Sequence, residues 1–288
     1  MTYAGNIDFL KSIAQVRRAS MVTTNICEEA SIKNLLHGFR PNVIVHFAAE
    51  SHVDNSINSP DEFIKTNING TFNLLKLALD YYQNISKDIL FLHVSTDEVY
   101  GELGDTGKFK ETTRYDPRSP YSASKAASDH LVMAFYHTYG LPIKMTNCSN
   151  NYGPWQHKEK LIPKVINNIL ERKPIPFYGR GQNIRDWLYV EDHCKAIELV
   201  IQKGTIGESY NIGGDCEISN INLVKEILKN MEYSGPDLIE YVEDRAGHDF
   251  RYAIDHSKIT KELGWNPLYS FKEGITKTIK WYKEKNNG

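Results

Sequence analysis

Apolar and polar residues are grouped along the first half of the chain in blocks of two kinds. Pro41 to Glu50, PNVIVHFAAE, is a β-branched run of the length of a buried strand. Pro60 to Gln83, PDEFIKTNINGTFNLLKLALDYYQ, carries Phe63, Asn67, Gly70, Leu74, Leu77 and Tyr81 at helical spacing. Asp61 and Glu62 fall in its first turn, where they meet the positive end of the helix dipole. Asp88 to Gly101, DILFLHVSTDEVYG, is a second strand-like run that ends in polar residues. Ser119 to Gly140 is helical again and closes on Gly140, and Leu141 to Pro154 returns to an extended run that breaks into a polar loop. Strand, helix, strand, helix, strand predicts an α/β fold with a doubly wound parallel sheet. In such sheets ligands sit beyond the carboxyl ends of the strands. The tails AAESHVD, STDEVYG and NCSNNYG fall at that edge, so the pattern expects three loops to point at one site.

From about residue 155 the blocks shorten and Pro and Gly punctuate them, as in KPIPFYGRGQNIRDW, YNIGGD, EDRAGHDFRY and ELGWNPLYSF. The expectation is a smaller lobe over 155–288 with some segments returning to the first domain, 1–154. No internal repeat and no low-complexity linker separates the two.

Composition narrows the function classes. At 41% hydrophobic and 24% charged residues, 288 residues have the make-up of a globular chain with a large core, not of a disordered one. A formal charge of -2 gives no reason to expect nucleic acid or a membrane surface as partner. Cys27, Cys148, Cys194 and Cys216 are widely spaced with no CxxC pair, which argues against a structural zinc site and a disulfide scaffold and for reduced thiols in the cytoplasm. Asp8 and Lys11 stand where a signal peptide would need an apolar run, so none is expected, and no stretch approaches ~18 uninterrupted apolar residues.

Two short stretches carry chemistry. In YSASK, Tyr121 and Lys125 are four residues apart and share one helix face. An ammonium beside a phenol stabilises the phenolate and brings its pKa down from ~10, so that it can take a proton from a sugar hydroxyl as hydride leaves. The spacing by itself also fits two ordinary helix-surface residues. In STDEVYG, Thr96, Asp97 and Glu98 stand at a strand end, where two carboxyl groups can divide the roles of proton donor and acceptor if their environments separate them. The same dipeptide fits a strand-end turn facing water. His46 and His52 straddle a strand end with no third ligand near in sequence, so no metal site is expected, and His93 inside LFLHVS reads as a satisfied buried histidine.

Together these stretches resemble the extended short-chain dehydrogenase/reductase superfamily and, within it, the dTDP-glucose 4,6-dehydratases. The resemblance runs from Thr2 to the C-terminus through TYAGN, HFAAESHVD, STDEVYG, SPYSASKAASDHL, TNCSNNYGP, EKLIP, PFYGRGQNIRDWLYVEDH, YNIGG, DRAGHDFRYAID and ELGWNP, in that family's order. The Asp-Glu pair after Thr96 discriminates, because the related sugar epimerases lack it. The resemblance implies a Rossmann-like domain, NAD as cofactor, dTDP-glucose as substrate, and a homodimer pairing helices Pro60–Gln83 and Ser119–Gly140. It also implies an internal redox cycle of deoxysugar biosynthesis. Tyr121, helped by Lys125 and Thr96, would take the C4 hydroxyl proton while hydride leaves C4. Glu98 would take the C5 proton, Asp97 would protonate the departing C6 hydroxyl, and hydride would return to C6.

The family's binding roles carry over at matching positions. For NAD these are Thr2, Asn25, Ile26, Phe47, Ala48, Ala49, Glu50, Ser51, Thr66, Tyr121, Lys125 and Asn151. Asn25 departs from the family's usual Asp, which weakens the contact at adenine while keeping an acceptor oxygen. For the nucleotide sugar, Ser51, Thr96 and Asn150 would hold the hexose, with Lys160 and Leu161 by the diphosphate and base. Pro176, Phe177 and Tyr178 resemble the thymine-side segment. Arg185, Asn220, Arg245 and His248 would lie near the diphosphate and nucleoside, where a guanidinium fork matches phosphate oxygens. By themselves, Arg185 also fits a surface or capping cation and Tyr178 a core filler.

In that family TYAGN follows a strand, a Gly-rich turn, a helix and a second strand, a unit of roughly 30 residues. Gly213-Gly214 lies too late to supply the turn. The expectation is therefore an incomplete NAD-binding domain, its N-terminal strands missing, that by itself binds NAD weakly and folds poorly. Met1 then reads as an internal methionine, a misassigned start or the start of a truncated gene, with a genuine short paralogue as the alternative. The rival functions are a related nucleotide-sugar epimerase or dehydratase and a non-catalytic nucleotide-sugar-binding protein.

Overall fold

The structure, a computed structural model, describes residues 19–244 and 247–286. Thr2 and Arg245, both expected at binding positions, lie outside the described residues, and the contact map divides the chain into two compact units.

The first unit takes residues up to His93 together with Ser119–Lys144. Its helices are α1 (Glu29–Phe39), α2 (Val53–Asn58), α3 (Pro60–Phe63), α4 (Thr71–Asn84) and α5 (Pro120–Tyr139). Strand β1 (Val43–His46) pairs in parallel with β2 (Leu90–Thr96), from Val43 opposite Leu90 to His46 opposite His93, and the first residues of β3 (Ile143–Cys148) lie on β2's other side. Leu74, Leu77, Ala78 and Tyr81 of α4 bury one stripe against Phe91 of β2 and Val132 and Phe135 of α5, as the helical spacing of that segment predicts.

Helix α5 starts on a reciprocal cap. The Ser122 N–H donates to Ser119 Oγ and the Ser119 N–H to Ser122 Oγ, each at 3.0 Å. Pro120 occupies the first turn and Gly140, at φ 67°, ends the helix in the left-handed region. Between α3 and α4 the expected regular helix opens into a π-helical turn over Ile64–Gly70. Long-range bonds of Asn67 accompany that widening. Its amide clasps the Glu50 peptide on both sides, accepting from the N–H at 2.8 Å and donating to the carbonyl at 3.0 Å, and donates to Ser124 Oγ at 2.8 Å. Ser128 Oγ donates to the Asn67 carbonyl at 2.6 Å. The loop after β1 and the helix bearing Tyr121 and Lys125 are thus tied to one side chain.

The second unit takes Val94–Arg118 and residues from Met145 onward. It holds the ends of β2 and β3, with β3 pairing in parallel with β7 (Ser209–Ile212). Strand β4 (Asn150–Tyr152) pairs in parallel with β6 (Ile184–Tyr189), which pairs antiparallel with β8 (Glu217–Ser219), and β5 (Ile175–Tyr178) pairs with β9 (Ile239–Val242). Helices α6 (Leu161–Glu171), α7 (Val190–Lys203), α8 (Asn220–Asn230), α9 (Ser257–Leu263) and α10 (Phe271–Asn286) complete it. Its core joins Ile162, Ile166, Trp187, Leu223 and Ile227. Gly213-Gly214 serves packing here: a Cβ on Gly214 would stand 2.0 Å from the Trp187 carbonyl oxygen, a distance only glycine avoids.

Candidate active site

In the first unit, Tyr121 and Lys125 open α5 one turn apart, and both are buried, Lys125 to 5% exposure. The Tyr121 ring packs edge-on to Phe63 at 6.3 Å. Lys125 Nζ lies 3.5 Å from Nε2 of His93, whose Nε2 is also 3.1 Å from Asp129 Oδ1. A surface role for YSASK is thereby excluded. Of the residues expected at NAD, Phe47 and Ala48 are exposed, while Ala49, Glu50, Ser51 and Thr66 are half-buried. The Asn25 side chain accepts from the Cys27 N–H at 3.0 Å, and Ile26 is fixed by Asn73, whose amide donates to its carbonyl at 2.7 Å. A Cβ on Gly70 would come within 2.5 Å of Ile26 Cδ1, so glycine there makes room for the Ile26 side chain.

In the second unit, the chain leaves β2 at Thr96 and turns at once into a 3₁₀ turn, Asp97–Tyr100. Thr96 Oγ1 accepts from the Glu98 N–H at 3.3 Å, caps that turn, and lies 3.3 Å from Asp97 Oδ1. Asn147 of β3 donates to the Thr96 carbonyl at 3.1 Å. Asp97 is 2% exposed, which removes the water-facing turn as its reading, while Glu98 is half-buried. Burial, with Glu98 and Asp186 as negative neighbours, raises the Asp97 carboxyl well above the ordinary carboxylate range, against the opposing pull of Arg185 and the Thr96 hydroxyl. The two carboxyl groups therefore differ in burial, and Asp97 is the one displaced toward the protonated form.

Arg185 of β6 is buried and its guanidinium is largely committed. Nη1 donates to the Ile184 and Phe250 carbonyls at 2.8 and 3.2 Å and Nη2 to the Asp249 carbonyl at 2.9 Å, with the group 4.3 Å over the Tyr252 ring. Asn220 opens α8, its N–H donating to the Asn183 carbonyl at 3.0 Å. The Tyr178 ring meets the His248 ring edge-on at 6.2 Å, and His248 Nδ1 is 2.6 Å from Asp244 Oδ1. Pro176 and Phe177 lie on β5, with Phe177 in the core, while Lys160 and Leu161 form the start of α6. Buried oxygens without a hydrogen-bond partner gather on the same strand ends: Asp97 Oδ2, Asn147 Oδ1, Asn150 Oδ1 and Asn151 Oδ1, with Asn220 Oδ1 at the start of α8. Such acceptors suit a ligand rich in hydroxyl and amide donors, which a nucleotide sugar and the NAD carboxamide both are.

Two residues of this setting were not singled out by sequence reasoning. Asp186, beside Arg185, is 1% exposed, and burial raises its carboxyl to about 6 although its Oδ1 accepts from the Cys216 N–H at 2.8 Å. Asn147 holds the Thr96 carbonyl. The available signal was an Arg-Asp pair inside the otherwise strand-like IRDWLY, since charges enter buried strands only with partners.

The fold is that of an α/β enzyme, with a buried Tyr-Lys pair at a helix start in the first unit and a buried carboxyl group at a strand end in the second. A family profile described as GDP-mannose 4,6 dehydratase matches residues 1–278. The chain is 50% identical to a probable dTDP-glucose 4,6-dehydratase of Sinorhizobium fredii, over 99% of its length and 84% of that protein. It is 52% identical to the dTDP-glucose 4,6-dehydratase of Xanthomonas campestris pv. campestris, over 98% of its length and 84% of that protein. The solved dTDP-glucose 4,6-dehydratase DesIV of Streptomyces venezuelae, with NAD bound, superposes with a TM-score of 0.93 at 42% identity, over 100% of this chain and 86% of that one. The chain belongs to this family of dehydratases and, within it, to the dTDP-glucose 4,6-dehydratases.

Proposed function

We propose that this chain dehydrates dTDP-glucose to dTDP-4-keto-6-deoxyglucose. The observation that carries the reading is Asp97: a buried carboxyl group raised well above the ordinary carboxylate range, next to a less buried Glu98, on a turn capped by Thr96. Elimination of water needs a proton for the departing C6 hydroxyl and a base for C5, and an epimerase needs neither. Asp97 supplies the first and Glu98 the second; a C4 ketone makes the C5 proton acidic enough for a carboxylate to remove. Tyr121 takes the C4 hydroxyl proton, and the Lys125 ammonium one turn away favours the phenolate it leaves from.

NAD, when bound, supplies a hydride acceptor at C4 that becomes the donor at C6. Phe47 to Ser51, Thr66, Asn25, Ile26 and Asn151 are the residues assigned to hold it. Support comes from the Asn67 clasp that fixes the loop at Glu50 and from the unpartnered Asn151 Oδ1. Asn150, Asn220, Tyr178, His248, Lys160, Leu161, Pro176, Phe177 and the uncommitted N–H groups of Arg185 are assigned to the nucleotide sugar.

A homodimer through α4 and α5 belongs to the same proposal. Its support is the apolar surface these helices expose: Phe72 packs edge-on to Phe135, which packs on Tyr139, and Phe72 is 46% exposed. A cytoplasmic location is supported by four free cysteines. No described helix is long and apolar enough to cross a membrane.

The test supplies NAD and dTDP-glucose and follows the 4-keto-6-deoxy product by proton NMR, with UDP-glucose in a parallel reaction. Asp97→Asn and Glu98→Gln are each expected to lower kcat by about 10²–10⁴. Turnover at the wild-type rate by Asp97→Asn would refute the assignment.

A further inference from the structure

Arg185 is a buried cation that makes no ion pair among the described residues. A guanidinium taken out of water without an acid beside it is costly unless other groups hold it. Three backbone carbonyls do so at its edge, those of Ile184, Phe250 and Asp249, and the Tyr252 ring lies against its face, 4.3 Å from the central carbon. Nε–H and the second N–H of Nη2 meet no acceptor among the described residues.

Two acids feel this charge, Asp97 and Asp249. Asp249 already touches Arg185 through its peptide carbonyl, yet its carboxylate is engaged elsewhere. Oδ2 accepts from the Tyr252 hydroxyl, and Oδ1 lies 3.8 Å from Nη1 of Arg118. The backbone fixes Tyr252 for this. Its N–H donates to the Ile184 carbonyl at 3.2 Å, and the Ile184 N–H donates to the Phe250 carbonyl at 2.8 Å, so residues 249–252 run along the start of β6. Burial above all pushes the Tyr252 phenol far above its usual range, so the hydroxyl keeps its proton and donates it to the carboxylate.

Ring and hydroxyl thus act on the same cation in two ways. The ring face attracts the guanidinium through its quadrupole without carrying a charge. The hydroxyl occupies a carboxylate that, in a direct pair, would neutralise the guanidinium and repel a second anion. We infer that Tyr252 is a positioning residue for substrate binding: its hydroxyl diverts the Asp249 carboxylate from Arg185, so that the guanidinium seated on its ring stays unneutralised for a diphosphate. The inference rests on the dehydratase reading, in which Arg185 faces the diphosphate of the nucleotide sugar.

The experiment titrates dTDP into the full chain by calorimetry at pH 8 in the presence of NAD, and measures KM and kcat with dTDP-glucose. Wild type is compared with Tyr252→Phe, with Tyr252→Phe combined with Asp249→Asn, and with Arg185→Gln. Tyr252→Phe keeps the ring and releases the carboxylate; it is expected to weaken dTDP binding and raise KM about tenfold, with kcat within about threefold of wild type. Asp249→Asn in that background removes the released charge and is expected to bring affinity and KM back to within about threefold of wild type. A loss that persists in the double variant would overturn the inference. So would a Tyr252→Phe variant whose melting temperature falls while dTDP affinity and KM stay at wild-type values, the mark of a merely structural role. Arg185→Gln separates this inference from the reading beneath it. If it weakens dTDP binding while Tyr252→Phe does not, the inference alone fails. If it binds dTDP as wild type does, or if wild type binds no dTDP, the assignment of the nucleotide sugar to Arg185 fails and the inference falls with it.

Discussion

Replacing Asp186 by Asn tests whether burial sets the protonation states of the second unit. Asp186 is buried on β6, and its carboxyl is raised from the ordinary 3.8 to about 6, by burial above all. The sign follows from linkage. Between pH 4 and pH 6 the folded protein holds a proton on Asp186 that the unfolded chain has released, so stability falls as pH rises through that window. At ~1.4 kcal/mol per pH unit, the interval from 3.8 to about 6 amounts to ~3 kcal/mol of stability, fully present below pH 4 and fully lost above pH 6. Asparagine carries no such loss. It keeps an acceptor for the Cys216 N–H, which donates at 2.8 Å, and places an NH₂ where the buried Oδ2 has no hydrogen-bond partner, a pH-independent cost of about 1–3 kcal/mol.

The diagnostic quantity is therefore the change with pH, not the absolute stability. Urea denaturation of wild type and Asp186→Asn at pH 4 and pH 8 should show the variant gaining ~3 kcal/mol on wild type between the two. Equal differences at both pH values would refute the reasoning. The same substitution has a kinetic consequence of opposite value to the enzyme. Asp186 is one of the negative neighbours that hold the proton on Asp97, so its loss should move the high-pH limb of kcat to lower pH.

Two other perturbations follow directly from the helices of the first unit. Ser119→Ala removes the Oγ that accepts from the Ser122 N–H and should cost about 1 kcal/mol in chemical denaturation, with Ser119→Thr close to wild type. Phe72→Glu places a charge on the exposed apolar face of α4 and should shift a dimer to monomer in sedimentation velocity, while the circular dichroism of the helices is unchanged.

The strands were legible because buried parallel strands need unbroken apolar runs, and VIVH and LFLHVST announce themselves that way. The Tyr121–Lys125 pair was legible because a helical period is a local property. The π-helical turn at Ile64–Gly70 was not, because the bonds of Asn67 to Glu50, Ser124 and Ser128 link segments that sequence spacing does not join. Asp97 was legible as a candidate and illegible as an acid. Whether its carboxyl faces water depends on β6, whose Arg185 and Asp186 come nearly ninety residues later and act on it with opposite sign. His93 shows the same limit: a histidine in an apolar run is readable as buried, but its carboxylate partner, Asp129, comes from another element.

The buried carboxyl and imidazole groups pull the pH dependence of stability in opposite directions. Asp97 and Asp186 are raised by burial, so they favour the folded state at low pH. His46, His93 and His193 are lowered by burial, so the unfolded chain takes up their protons first and they disfavour folding as pH falls below 6.5. For His93 and His193, each lowered to about 4, the loss from 6.5 downward is again ~3 kcal/mol apiece. The carboxyl and imidazole windows overlap between pH 4 and 6, where Asp186 offsets about one histidine. The wild-type curve is less steep there than the histidines alone would make it. Asp186→Asn removes the offset, so the variant should lose stability on acidification more steeply than wild type even though it is the wild type that carries the extra buried acid. A groups-by-groups reading of the wild-type curve alone would miss both terms, because each hides the other.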